Sequence, residues 1–124
     1  MTEEPIDLVR RFCTAWQTLD VDAIVECFTD DAVWHNIPME PLRGKDAIRA
    51  AIAGFTGGSS GVEFRLENIA AAGNVVLTER VDVFEVQGKR IEFPVMGAFE
   101  VDDGRITAWR DYFDMGMFTK LMQG

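Results

Sequence analysis

The chain has 124 residues, which fits one domain over 1–124 and leaves little room for a second. Hydrophobic residues make up 48%, with nine Phe and three Trp, so a real core can form and roughly two thirds of the unfolded surface can leave water. Twelve Lys and Arg against twenty-one Asp and Glu give a net charge of -9, a field that repels phosphate backbones and anionic lipid heads and makes nucleic acid and membranes poor partners.

In chain order, Ile6, Val9, Phe12, Cys13 and Trp16 have helical spacing in a segment that opens at Pro5. Asp20 or Asp22 can cap a short second helix carrying Ile24, Val25 and Phe28. Asp30 and Asp31 are read as a turn into an extended run from Ala32 to Ile37, stopped by Pro38. A third helix, about Asp46 to Phe55, places Ile48, Ala51, Ile52 and Phe55 on one face. The loop from Gly57 to Gly61 is too short and too central to separate domains. The pattern then changes to strands over Val62–Ala71, Val75–Val86, Lys89–Val101 and Arg105–Phe113. Gly73-Asn74, Gln87-Gly88 and Asp102-Asp103-Gly104 punctuate them with hairpin-turn residues. A last short helix holds Phe118, Leu121 and Met122, with Asp114 as its cap. Helices first and an antiparallel meander afterwards indicate an α+β fold, a curved sheet with helices on one face.

Cys13 and Cys27 both fall on apolar helix faces and read as buried reduced thiols. With no apolar leader visible, a cytoplasmic location is expected. One His without Cys/His spacing argues against a structural zinc site. No phosphate-cradling or dinucleotide fingerprint appears. The expectation is therefore no metal and no cofactor, with the protein's own side chains doing the chemistry.

Alternation of period two divides the strand Val75–Val86 into two faces. One carries Val76, Arg80, Asp82, Phe84 and Val86; the other carries Leu77, Val81 and Val83, diluted by Glu79 and Glu85. A sheet with helices on one side should have a polar second face. The apolar second face predicts a homodimer that buries it.

An arginine and an aspartate within an apolar stripe are costly unless paired. Asp111 poses the same problem between Trp109 and Phe113. A two-residue turn at Gln87-Gly88 pairs Arg80 with Val95 and Asp82 with Phe93. A three-residue turn at Asp102-Asp103-Gly104 would set Asp111 opposite Val95 and Phe113 opposite Phe93. Arg80 and Asp111 then lie level, about 10 Å apart across Val95, with Asp82 one pleat along, about 7 Å from Arg80. The expected result is a carboxylate–guanidinium–carboxylate row in a pocket walled by Phe84, Phe93, Val95, Trp109 and Phe113. Such a row could be a structural ion-pair network, but one arginine needs only one carboxylate for neutrality. Two carboxylates sharing one cation should differ in proton affinity, giving one general acid and one general base.

Arg80-Val81-Asp82, the run Trp109-Arg110-Asp111-Tyr112-Phe113-Asp114, and Trp34-His35-Asn36-Ile37-Pro38 together resemble the limonene-1,2-epoxide hydrolase family. The resemblance covers essentially the whole chain. This family lies within the NTF2-like superfamily, with SnoaL-type cyclases and ketosteroid isomerases. The resemblance implies a cone-shaped fold with helices packed on the concave face of the sheet. It further implies that Asp111 takes a proton from water held by Asn36, that Asp82 protonates the oxygen of a small or medium apolar epoxide, and that Arg80 links the two. The implied product is a vicinal diol, formed without a covalent intermediate.

Trp34 stands where the family often has a water-binding tyrosine. An indole donates but cannot accept a hydrogen bond, so Asn36 and Asp111 would have to accept both water protons. Trp34 could equally be a core aromatic. His35, Arg110, Tyr112 and Asp114 alternate away from the row. Phe12, Trp16, Met96 and Met117 are further lining candidates or plain core. The competing readings are an isomerase or polyketide cyclase of the same fold and a non-catalytic ligand-binding module.

Overall fold

The computed structural model describes residues 3–124. Helix α1 (Pro5–Ala15) starts at its proline and buries Leu8, Val9, Phe12 and Cys13 along one stripe. A 3-10 turn, Trp16–Thr18, follows, and Leu19 takes a left-handed conformation (φ 58°) that ends it. Asp20 caps α2 (Val21–Val25) by accepting from the Ala23 N–H at 3.3 Å. Helix α3 (Lys45–Gly57) buries Ile48, Ile52 and Thr56. Asp114 caps α4 (Met115–Gln123), accepting from the Met117 N–H at 3.1 Å. Among the described residues no helix is long and apolar enough to cross a membrane.

The strands are β1 (Phe28–Asn36), β2 (Leu42–Arg43), β3 (Gly61–Ala72), β4 (Val75–Val86), β5 (Lys89–Asp102) and β6 (Arg105–Tyr112). They form one sheet in the order β2-β1-β6-β5-β4-β3. All neighbours are antiparallel except β1 and β6. The helices cover one face, as the α+β reading expects, and the buried core lies between the two layers.

Several local expectations change. Phe28 begins β1 rather than belonging to α2, and Cys27 lies just past that helix. Asp30 and Asp31 do not turn the chain. They sit inside β1, exposed, where the pairing with β6 is irregular between Phe28 and Val33. The two-residue strand β2 has too few positions for alternation to reveal it. The β4–β5 register is the one expected, because Gln87 (φ 51°) and Gly88 (φ 79°) form a tight two-residue turn with both φ positive.

The β5–β6 register differs. Asp102 pairs with Arg105, so this turn also has two residues, Asp103 (φ 48°) and Gly104 (φ 76°). A bulge follows, because Val101 pairs with Ile106 and Glu100 with Ala108, leaving Thr107 extra. Together the shorter turn and the bulge move Asp111 two residues along β5, from Val95 to Gly97. Phe113 lies beyond the end of β6 and has no strand partner at Phe93, although their rings stay 5.7 Å apart. A displacement of two preserves the face of every residue. Asp111 therefore still points to the helix-covered side.

Candidate active site

Four strands meet in one row across the sheet, three of them contributing polar side chains. Thr78 pairs with Gly97, Gly97 with Asp111, and Asp111 with Asn36. Arg80 lies one pleat along β4 and Asp82 one pleat further, so the guanidinium sits between the carboxylates. Arg80, Asp82 and Asp111 are 1%, 3% and 4% exposed, so these charges must satisfy one another.

They do so completely on the arginine side. Nε donates to Asp82 Oδ1 (2.9 Å) and Nη2 to Asp82 Oδ2 (2.9 Å). Nη2 also donates to Asp111 Oδ2 (2.8 Å), and Nη1 to Asp111 Oδ1 (3.1 Å). Nη1 donates as well to Thr78 Oγ1 at 3.1 Å. All five N–H groups are used, in two bidentate forks and one hydroxyl contact. Phe64 lies under the guanidinium, its ring centre 4.9 Å from Cζ. Burial alone would lower the pKa of Arg80, but the charges of Asp111 and Asp82 outweigh it and hold the group protonated.

The two carboxylates are not equivalent. Asp111 accepts three N–H bonds, two from Arg80 and one from Trp109 Nε1 at 2.7 Å. Asp82 accepts only the two from Arg80. Desolvation pushes the Asp82 carboxyl up to about 6, opposed by the charge and hydrogen bonds of Arg80 and reinforced by the Asp111 charge. Burial therefore favours the protonated form of Asp82. Asp111 spends three of its roughly four lone-pair sites on donors and keeps one.

Both carboxylates face one small apolar cavity of about 70 Å3. Phe84, Phe93, Val95, Trp109 and Phe113 line it, as the sequence reading expects. Arg80 supports the carboxylates but does not line the cavity. Asn36 and Trp34 reach the same space from β1. The Trp34 ring stacks on Trp109 with centres 4.6 Å apart and planes 3° apart. The indole N–H of Trp34, like that of Trp16, is buried without a protein partner, a loss of roughly 1–3 kcal/mol unless water or a ligand accepts it.

Of the further lining candidates, Trp16 lines the cavity, while Phe12 belongs to the core behind it. Met96 is 51% exposed on the opposite face, as its pairing with Glu79 dictates. Met117 is exposed on α4. His35 points away and lies 2.9 Å from the Met39 carbonyl through Nε2. Sequence reasoning misses Met39, Phe55 and Phe118 as lining residues, because helix and loop positions carry no cross-strand register, and it also misses Phe64, which β3 sets opposite Asp82. It also misses Thr78 and Gly97. A Cβ on Gly97 would stand 2.5 Å from Arg80 Nη1, 2.6 Å from Asp111 Oδ1 and 2.9 Å from Thr78 Oγ1. A glycine within an apolar strand is the signal that could have identified it, since such residues often mark a close approach.

The family model described as limonene-1,2-epoxide hydrolase catalytic domain matches residues 3–123. Epoxide hydrolase EphG of Mycobacterium tuberculosis is 41% identical over 117 residues, covering 94% of this chain and 78% of that protein. The structure of a limonene-epoxide-hydrolase-like epoxide hydrolase from M. tuberculosis superposes with a TM-score of 0.88 at 40% identity, covering 99% of this chain and 92% of the other. A putative SnoaL-like polyketide cyclase from Shewanella denitrificans superposes with a TM-score of 0.87 over 96% of each chain. Its identity of 17% makes that a likeness of fold alone.

Proposed function

The chain belongs to the limonene-1,2-epoxide hydrolase family, and we propose that it adds water to a small or medium apolar epoxide in one step, giving a vicinal diol. The observation that carries this reading is the single guanidinium forked to two unequal carboxylates, both of which line one apolar cavity.

In the proposed step, Asn36 and Trp34 hold a water molecule beside Asp111. The remaining acceptor site of Asp111 takes one water proton while the water oxygen attacks a ring carbon. The carbon–oxygen bond of the ring breaks, and Asp82 gives its proton to the leaving oxygen. Both electron pairs and both protons are then accounted for in the diol. The cycle closes when the proton on Asp111 is returned to Asp82 by way of solvent. Arg80 stays cationic throughout. The Trp34 N–H donates to the water oxygen, leaving the Asn36 carbonyl oxygen and Asp111 to accept its two protons. Side chains and water suffice for this chemistry. The remaining apolar wall would exclude competing water and favour an uncharged substrate.

The isomerase and cyclase alternatives place an enolate against a phenol or protonated acid. The single tyrosine of this chain, Tyr112, is 47% exposed on the outer sheet face, away from the cavity. That outer face, with Leu77 and Met96 also exposed, supports the proposal of a homodimer.

The test is hydrolysis of limonene oxide and cyclohexene oxide in oxygen-18 water with enzyme in excess. The reading expects label in the diol from the first turnover, and loss of turnover in Asp82→Asn and Asp111→Asn. Turnover that survives Asp111→Asn would remove that residue as the base. Binding of the epoxides with no diol formed would replace the hydrolase reading by a ligand-binding one.

A further inference from the structure

A second apolar space lies against the aromatic wall of the catalytic cavity. Phe55, Phe84 and Phe118 line that cavity, and the same three side chains line a second cleft between α3 and α4. That cleft holds about 190 Å3 and is partly open to solvent. Gly54, Gly58, Ile91 and Met122 form much of its remaining wall. Ser59 also lines it, but its hydroxyl is committed to the Phe55 carbonyl at 2.9 Å. An apolar group that extends from the two carboxylates to these three rings lies next to the second apolar space.

Two observations point to an occupant. Gly54 lies inside α3, where glycine is a poor helix former, yet a Cβ placed on it would meet nothing within 4 Å. No neighbouring protein atom requires its small size, and what the missing side chain leaves open is the cleft. Helix α4 is also lightly held, since none of its residues is fully buried. Its anchors are Phe118 and Leu121, which pack against the core, the Phe118 ring lying 5.2 Å from Phe93 and 6.0 Å from Phe113, and Lys89 Nζ donating to the Met122 carbonyl at 3.0 Å. Such a helix can shift as a guest enters, and the flexible thioether of Met122 adapts to an irregular one.

We infer that the α3–α4 cleft is a subsite for an unbranched apolar chain on the substrate, so that epoxides bearing such a chain are favoured over compact ring epoxides. The inference rests on the hydrolase reading and adds the substrate class. Each methylene that leaves water for the cleft raises kcat/KM by about fourfold where the contact is kept in the transition state.

The experiment measures kcat/KM for terminal epoxyalkanes of increasing length, from epoxybutane to epoxydodecane, with cyclohexene oxide as the compact reference. The full chain is compared with Gly54→Leu and Met122→Trp, which fill the cleft from opposite sides; circular dichroism checks that each variant is folded. For the unaltered protein, kcat/KM should climb by up to about fourfold per methylene until the cleft is full. Either variant should lower the long-chain end about tenfold more than it lowers cyclohexene oxide. A flat series in the unaltered protein, or a climb that survives both fillings, overturns the subsite and leaves the hydrolase reading standing. Absence of diol from every epoxide, compact or long, overturns the hydrolase reading and the subsite with it.

Discussion

Gly97 is the cross-strand partner of Asp111, and a methyl group on it would stand 2.6 Å from Asp111 Oδ1. The same methyl would stand 2.5 Å from Arg80 Nη1, so it would occupy the space in which guanidinium and carboxylate meet. Gly97→Ala must therefore push the fork between Arg80 and Asp111 apart. The expected loss is about 1–3 kcal/mol of stability from overpacking. Activity should fall on the order of a hundredfold, because a displacement of about 1 Å is enough for that. Thermal unfolding and kcat/KM on cyclohexene oxide check the two effects separately.

Asp82 as the acid and Asp111 as the base predict different pH behaviour. The Asp82 carboxyl, pushed up to about 6, must be protonated to act, so kcat/KM should fall as pH rises above about 6. Asp82→Asn and Asp111→Asn should each lose on the order of 10²–10⁴-fold in rate. The residual activity of Asp82→Asn should lack the decline above pH 6. A profile in which that decline persists would assign it to another group.

The same carboxyl affects folding. Burial raises its pKa from 3.8 to about 6, so between those values the folded chain holds a proton that the unfolded chain has released. The contribution is fully present below the unfolded value and is lost as pH rises through the folded one. Stability should fall across this window by about 3 kcal/mol on account of Asp82. Asp82→Asn removes the titration, so denaturant unfolding at pH 4 and pH 7 should show the variant gaining on the parent by about that amount. Equal pH dependence in both proteins would show that folding leaves this carboxyl unperturbed.

In the proposed step the buried, unpartnered N–H of Trp34 donates to the attacking water. Trp34→Phe deletes the N–H and keeps an aromatic side chain against Trp109, so kcat/KM should fall about tenfold, the worth of one neutral hydrogen bond. Trp34→Tyr should recover that loss, since a hydroxyl both donates and accepts. A Phe variant as active as the parent would return Trp34 to the role of a core aromatic.

Leu77, Met96 and Tyr112 are each between 47% and 51% exposed on the outer face of the sheet. Covering them with a second copy predicts a dimer by sedimentation, and a monomer for Leu77→Glu combined with Met96→Lys. A monomeric parent would show that this face is solvated.

How much of this was legible beforehand varies along the chain. Period-two alternation places Arg80, Asp82 and Asp111 on apolar faces, and the cost of burying charge says that they must find one another. The Gln87-Gly88 turn determines the β4–β5 register, because two residues with positive φ admit one tight geometry. The three-residue turn expected between β5 and β6 is a two-residue turn followed by a bulge, and alternation reports neither its length nor the extra residue. The parity of that displacement kept Asp111 on the right face.

The row of two aspartates and one arginine is therefore determined by the sequence itself, since alternation and the penalty for unpaired charge are local and unconditional. The tertiary structure decided how the row is held. Glycine at position 97 lets the groups approach, Thr78 takes the fifth arginine N–H, and Trp109 makes Asp111 the richer acceptor. It also decided the far end of the cavity, where α3 and α4 meet the sheet. Those contacts join residues distant in the chain, and no local periodicity encodes the distance between a helix and the sheet it covers.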